Sequence, residues 1–270
     1  MLARLNNKFK KPVFMGILNV TPDSFSDSGK HFQIDKAIEH AKNLISQGAD
    51  IIDIGGESTR PSAKPISEEE ELKRVIPVVE ALRAISLCNF IISIDTYKSK
   101  VAKAALDAGA NIINDVSGLT VDPNMLSVVR DANCPIVIMH NNGIPATKPT
   151  SKQHCTGRSS TCPAKVLQTI YPWLETQTNF AISNGIKKEN IIIDPGIGFG
   201  KTPEEDLYLV ENLHELKPLG FPVLVGLSRK SFIKKLFGEE NLESKSKELI
   251  ELAIKNGASI VRVHDVLEFY

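Results

Sequence analysis

Eight short apolar runs, each ending at or beside a polar residue, do most to limit what this chain can fold into. They are Val13 to Leu18, Asp50 to Ile54, Phe90 to Ile94, Asn111 to Asn114, Pro135 to Met139, Asn190 to Asp194, Pro222 to Leu227 and Ser259 to Val263. They are continuous rather than alternating, the pattern of parallel strands covered on both faces. Between them the sequence turns to helical spacing. Ser67 followed by Glu70 reads as a capping box, and Leu72, Val75, Ile76, Val79 and Leu82 then recur on one face. Thr202, Pro203 and Glu205 open another helix, with Leu207, Val210, Leu213 and Leu216 on its inner side. Ala37, Ile38, Ala41, Leu44 and Ile45 make a third stripe, which Gly48 ends.

A weak internal repeat runs through this alternation. Gly48-Ala49, Gly109-Ala110 and Gly257-Ala258 each close a helix and open a strand, and five residues after each glycine stands a polar side chain: Asp53, Asn114, Arg262. Polar chemistry therefore gathers at the strands' C-terminal ends. Eight parallel strands with that polarity describe a (β/α)8 TIM barrel, whose active sites lie on that face. An open doubly wound sheet shares the alternation and is the competing architecture.

No Gly-, Ser- or Pro-rich linker divides the chain, so residues 1–270 are expected to form a single barrel domain. The 270 residues give about 34 per βα unit, one full barrel cycle. Strand eight ends near His264, which leaves Asp265 to Tyr270 where a helix should follow, so the final helix is expected to be truncated or missing. The stretch Gly143 to Pro163 has no periodicity and many turn formers, and reads as a long loop after strand five.

Composition excludes several classes. The 32 Lys and Arg balance 32 Asp and Glu, which argues against a dedicated nucleic-acid binder. Four scattered cysteines and an N-terminus without an apolar signal core point to a cytoplasmic protein with reduced thiols, and no apolar run approaches the ~20 residues that span a bilayer. Gly-Lys-Thr at 200–202 invites a phosphate-loop reading, but the first glycine of that motif would fall at Pro195. The three glycines at 196, 198 and 200 still allow backbone to approach a ligand closely. His140, His154, Cys155 and Cys162 fit no standard zinc spacing, and no G-x-S-x-G marks a serine nucleophile.

What remains is a set at the strand ends: Asn19, Asp53, Asp95, Asn114, His140, Asp194, Ser228, Arg262 and His264. Asp and Asn side chains converging on one pocket suit a flat, amide-rich heterocycle, because a carboxylate accepts two parallel N–H bonds. Arg262 and His264 favour an anion such as phosphate. Asn19 is a candidate oxygen ligand for a Mg²⁺ held mainly by phosphate oxygens.

With these residues in place, nearly the whole chain resembles the dihydropteroate synthase family of pterin-binding enzymes. The resemblance is carried in order by Met15 to Asp27 (MGILNVTPDSFSD), Asp53 to Pro61 (DIGGESTRP), Ser93 to Thr96, Ile113 to Val116, Met139-His140, Asp194 to Lys201 (DPGIGFGK), Ser228 to Ser231 and Arg262 to Val266. It implies condensation of (7,8-dihydropterin-6-yl)methyl diphosphate with p-aminobenzoate to give dihydropteroate and diphosphate. It further implies that Asp95, Asn114, Asp194 and Lys230 hold the pterin, that Asn19, Thr59, Arg262 and His264 hold the diphosphate, with Mg²⁺ at Asn19, and that Val263 is substrate-binding. Phe25, Pro61, Phe199, Lys230 and Ser231 are then expected to line the p-aminobenzoate pocket once the loops carrying Asp27 and Arg60 close. Lys230, Arg262, His264 and Asp27 are the expected catalytic groups, and a homodimer is expected, weakened if the last helix is absent. Ser62, Asp206 and the stretch Glu243 to Lys247 depart from the family's common pattern. Two other readings share the pterin-facing residues: a methyltetrahydrofolate-dependent methyltransferase and a pterin-binding homologue without turnover.

Overall fold

The computed structural model describes residues 12–21, 30–58, 63–85, 90–143 and 163–266. Its strands are β1 (Val13–Asn19), β2 (Ile51–Gly55), β3 (Ile91–Asp95), β4 (Ile112–Asp115), β5 (Ile136–Met139), β6 (Ile191–Asp194), β7 (Val223–Gly226) and β8 (Ala258–Val263). They close in sequence order into a barrel, every neighbouring pair parallel, with β8 returning to β1. All eight expected strands are present and the open sheet is excluded.

The helices are α1 (Lys30–Ser46), α2 (Glu68–Ala84), α3 (Ser99–Asp107), α4 (Met125–Ala132), α5 (Lys165–Ser183), α6 (Pro203–Glu211), α7 (Ser231–Phe237) and α8 (Leu242–Lys255). Thr202 closes a reciprocal capping box with Glu205 at the start of α6. Ser67 accepts from the Glu70 N–H at the start of α2. The helix expected through Leu216 stops at Glu211, and Leu213–Leu219 tightens into a 3₁₀ turn, with Pro218 withholding a donor and Gly220 ending it at φ 76°. The expected loop over 143–163 falls almost wholly outside the described residues. No described helix follows β8, and none is long and apolar enough to cross a membrane.

Strand parity sorts the core into two bodies. One face of the strands packs on the helices through residues such as Leu18, Ile52, Ile54, Ile94, Ile113, Ile138, Val225 and Val263. The other face fills the barrel with Val13, Met15, Ile51, Ile112, Val137, Ile192, Leu224 and Ile260, each at most 1% exposed. Each of these large side chains contributes about 1.5–3 kcal/mol by leaving water. This interior plug occupies the lower part of the barrel. Two residues further along six of those strands the inward positions are Asp53, Asn114, Met139, Asp194, Gly226 and Arg262, so the polar layer rests directly on the apolar one.

Candidate functional site

The three residues of the internal repeat meet at one atom. Gly48, Gly109 and Gly257 each take a positive φ of 104–112°, which ends the helix and starts the strand in the same phase. Five residues on, Asp53 Oδ2 accepts from Asn114 Nδ2 at 3.0 Å and from Arg262 Nε at 2.6 Å. Arg262 Nη2 also donates to Asp95 Oδ2 at 2.8 Å. Asp53 is fully buried and Asp95 9% exposed, so the guanidinium neutralises two carboxylates out of water. Burial lowers the Arg262 pKa, but the charges of Asp53 and Asp95 outweigh it and hold the group above its ordinary value. Burial pushes the Asp95 carboxyl up to about 7, against the pull of Arg262 and helped by the like charge of Asp53.

The other half of the site is the turn after β6. Gly196 (φ 69°) and Gly198 (φ 83°) occupy the left-handed region. A Cβ on Gly196 would sit 1.8 Å from the His140 carbonyl oxygen, so the turn closes against β5 only with glycine there. Asp194 Oδ1 accepts the Gly196 N–H at 2.7 Å, and Asp206 Oδ1, from α6, accepts the Gly198 N–H at 2.8 Å. Lys201 is buried beneath the turn and donates to the Gly196 carbonyl at 2.6 Å. Burial pulls its ammonium down to about 8, opposed by Asp206 and Asp194. Burial raises Asp194 and Asp206 to about 6, each opposed by its backbone N–H bond and by neighbouring lysines. Lys230 crosses Gly198 and sets its Nζ 4.6 Å from the centre of the Phe199 ring, a cation–π contact.

The structure thus links Asn114 and Arg262 through Asp53, bonds Arg262 to Asp95 as well, and places Lys230 against Phe199 at the same mouth. Asp194 feels the charges of Lys230, Lys201 and Arg262. His264 lies at the end of β8 with Nδ1 3.0 Å from Ser228 Oγ, and Ser231 is exposed at the start of α7. Val263, one residue past inward-facing Arg262, points its side chain the other way, where it is buried against the helix layer. It offers a pocket no side chain. Phe25, Asp27, Thr59, Arg60 and Pro61 lie outside the described residues, as do His154, Cys155 and Cys162.

Two features escaped the sequence reading. Asp53 was one of nine strand-end polar residues, and only the register shows that Asn114 and Arg262 both depend on it. Lys201 belongs to a failed phosphate-loop match, yet it is the cation that secures the turn from below; its position five residues after Gly196 was the available signal.

Among the described residues no three His, Cys, Asp or Glu side chains converge as a metal cluster. Asp53 and Asp95 are committed to Arg262. Asn19 ends β1 beside them, its Oδ1 and Asp95 Oδ2 both 3.7 Å from the point where Gly55 would carry a Cβ. A lone amide oxygen fits a Mg²⁺ that brings most of its ligands as phosphate oxygens and water.

A parallel eight-stranded barrel with a buried Asp, Asn and Arg constellation at its C-terminal mouth defines the class, and comparison with known proteins supplies the family. Residues 15–264 match the model of the pterin binding enzymes. A dihydropteroate synthase of Clostridium beijerinckii is 44% identical over 262 residues, covering 96% of this chain and 91% of that protein. Among solved structures, a Xanthomonas albilineans dihydropteroate synthase with 4-aminobenzoic acid superposes with a TM-score of 0.85 at 41% identity, covering 96% of this chain and 90% of that one. The same organism's enzyme in complex with 7,8-dihydropteroate gives a TM-score of 0.82 at 39% identity, with 96% and 90% covered. The chain belongs to the pterin-binding enzyme family and, within it, to the dihydropteroate synthases.

Proposed function

We propose that this chain condenses (7,8-dihydropterin-6-yl)methyl diphosphate with p-aminobenzoate, releasing diphosphate and forming dihydropteroate. The observation that carries the reading is the buried Asp53, Asn114, Arg262 and Asp95 constellation at the barrel mouth, in a chain 44% identical to a dihydropteroate synthase. The Xanthomonas albilineans relatives hold 4-aminobenzoic acid and 7,8-dihydropteroate, one reactant and the product of this reaction.

The residue roles follow from chemistry at the mouth. The ionised Asp194 accepts the pterin's amino and ring N–H donors, Asn114 and Asp95 complete its polar edge, and Lys230 donates to its carbonyl. Arg262 uses Nε and Nη2 on Asp53 and Asp95, which leaves its other N–H groups to donate to the substrate. His264, with its ring set by Ser228, and Asn19 bracket the diphosphate end. Thr59, Arg60, Phe25, Pro61 and Asp27 are assigned to diphosphate and p-aminobenzoate by resemblance. Phe199 and Ser231 border the p-aminobenzoate side.

Asn19 would hold Mg²⁺, which when bound would supply neutralisation of charge on the leaving diphosphate. The pterin methylene C–O bond breaks with its electron pair leaving on diphosphate, and Arg262 and His264 stabilise the developing anion. The amine lone pair of p-aminobenzoate then forms the C–N bond and the excess proton passes to water or diphosphate. A neutral arylamine needs no strong base. Exclusion of water protects the cationic carbon.

We further propose that residues 1–270 act as one barrel domain, working in the cytoplasm as a homodimer. The closed barrel supports the first of these, and the dimer rests on resemblance.

The test is incubation with the pterin diphosphate, p-aminobenzoate and Mg²⁺, with detection of dihydropteroate. Without p-aminobenzoate, slow diphosphate release is expected; none at all argues against bond breaking ahead of attack. Pterin binding without product would favour the non-catalytic reading.

A further inference from the structure

Beside the mouth, the described residues bury a second cluster of ionisable groups that the reaction does not use. Glu57 stands two residues past β2, Lys98 three past β3, and Glu71 in the first turn of α2; they are 7%, 8% and 1% exposed. Lys98 Nζ donates to Glu57 Oε2, to Glu71 Oε2 at 2.6 Å and to the Ile66 carbonyl at 2.9 Å. Glu57 also accepts from the Tyr97 hydroxyl at 2.7 Å and from the Ile66 N–H at 3.1 Å. Both backbone groups of Ile66 are therefore held, one by Glu57 and the other by Lys98.

The consequence is topological. Glu57 and Ile66 are the two ends of the stretch that carries Thr59, Arg60 and Pro61. The cluster binds those ends to one another and to the loop that follows Asp95. Arg74 adds a second tie, donating from Nη1 to the Gly56 carbonyl at 2.9 Å while its Nε pairs with Glu70. Gly56 packs so closely on α2 that a Cβ would lie 2.8 Å from Val75 Cγ1. One ammonium against two carboxylates, all out of water, is a poor device for stability alone, because apolar side chains of equal volume generally serve as well. Its attested use is to fix a register.

We propose that Lys98, Glu57 and Tyr97 are positioning residues: a buried clasp that holds Glu57 and Ile66, the two ends of the second strand–helix connection, together, and thereby supports the substrate contacts assigned to Thr59, Arg60 and Pro61. This rests on the proposed function, which gives those three residues contacts to diphosphate and p-aminobenzoate.

The test compares Tyr97→Phe, Lys98→Met and Lys98→Arg with the unaltered protein. Tyr97→Phe removes one hydrogen bond and leaves the ions, so the KM for the pterin diphosphate is expected to rise and the KM for p-aminobenzoate to rise about fivefold. Lys98→Met should raise it at least tenfold and lower kcat, and Lys98→Arg should restore part of the loss. Unchanged KM values for both substrates in folded variants would overturn the proposal. If Lys98→Met does not fold, Tyr97→Phe decides alone. An independent readout is amide exchange without substrates: the Ile66 N–H should exchange at least tenfold faster in Lys98→Met or Tyr97→Phe while β2 is unchanged, and unchanged Ile66 exchange overturns the clasp. Lack of dihydropteroate with the unaltered protein would instead refute the proposed function, leaving the exchange result to judge the clasp.

Discussion

Asp53 Oδ2 and Arg262 Nε lie 2.6 Å apart although 209 residues separate them in sequence, and the same oxygen receives Asn114. A site built this way has a hub that no ligand needs to touch. Arg262 is fixed in place by two carboxylates before any substrate arrives, which preorganises its remaining donors and reduces its net charge at the mouth.

Replacing Arg262 by Met strands Asp53 and Asp95 as buried carboxylates without their cation. Stability should fall by about 3–5 kcal/mol at pH 8 and by less at pH 5, where Asp95 takes up a proton. Urea unfolding at the two pH values reads the difference, and equal losses would mean that Asp95 does not share the pair.

Stability should also depend on pH through the raised carboxyls. Asp95 titrates at about 7 when folded and near 3.9 when unfolded, so between those values the folded chain binds more protons. Its contribution is complete below about pH 4 and is lost as pH rises to about 7. Asp194 and Asp206, raised to about 6, act with the same sign over a narrower window. Asp95→Asn should flatten the curve between pH 4 and 7 by more than about 1 kcal/mol while abolishing turnover. A curve of unchanged slope would refute the assignment. The KM for the pterin diphosphate should rise as pH falls through about 6, as Asp194 takes up a proton.

Gly196→Ala should destabilise the protein by about 3 kcal/mol or more, since the added carbon meets the His140 carbonyl at 1.8 Å and φ is 69°. Thermal unfolding measures it. Gly257→Ala, with nothing within 4 Å of the added carbon but a φ of 111°, isolates the backbone part of that cost.

Two lysines at the mouth should separate cleanly. Lys230→Ala removes a half-buried cation from the face of Phe199 and should lower kcat/KM at least a hundredfold with little change in Tm. Lys201→Ala leaves the Gly196 carbonyl without its donor and should lower Tm, at a cost of about 1–3 kcal/mol. Parallel effects on both quantities in both variants would show that the two cations share one role.

Strand order and count were legible because buried parallel strands leave continuous apolar runs, and Ile191 to Asp194 is as plain in sequence as in the barrel. The phase of the pocket was legible too, through the repeated glycine offset. Less visible was the end of α6: Leu207 to Leu216 keeps helical spacing, but Pro218 and the turn at Gly220 pull its second half into 3₁₀ geometry. Val263 buries its side chain in the helix layer because sequence neighbours on a strand point to opposite sides. The Lys98 cluster left no trace, since charged residues on three different connections look like solvated surface until the fold buries them together.

The shared spacing from Gly48 to Asp53, Gly109 to Asn114 and Gly257 to Arg262 makes the pocket intolerant of length change in short, definable windows. Inserting one residue between Gly257 and Arg262 would turn the guanidinium outward into the greasy helix layer and bring Val261 inward in its place. The same insertion in the solvent-facing turn at Asn241 would leave the mouth untouched. Chains that drift from this one by insertion and deletion should therefore vary freely around their helices while keeping three five-residue intervals constant.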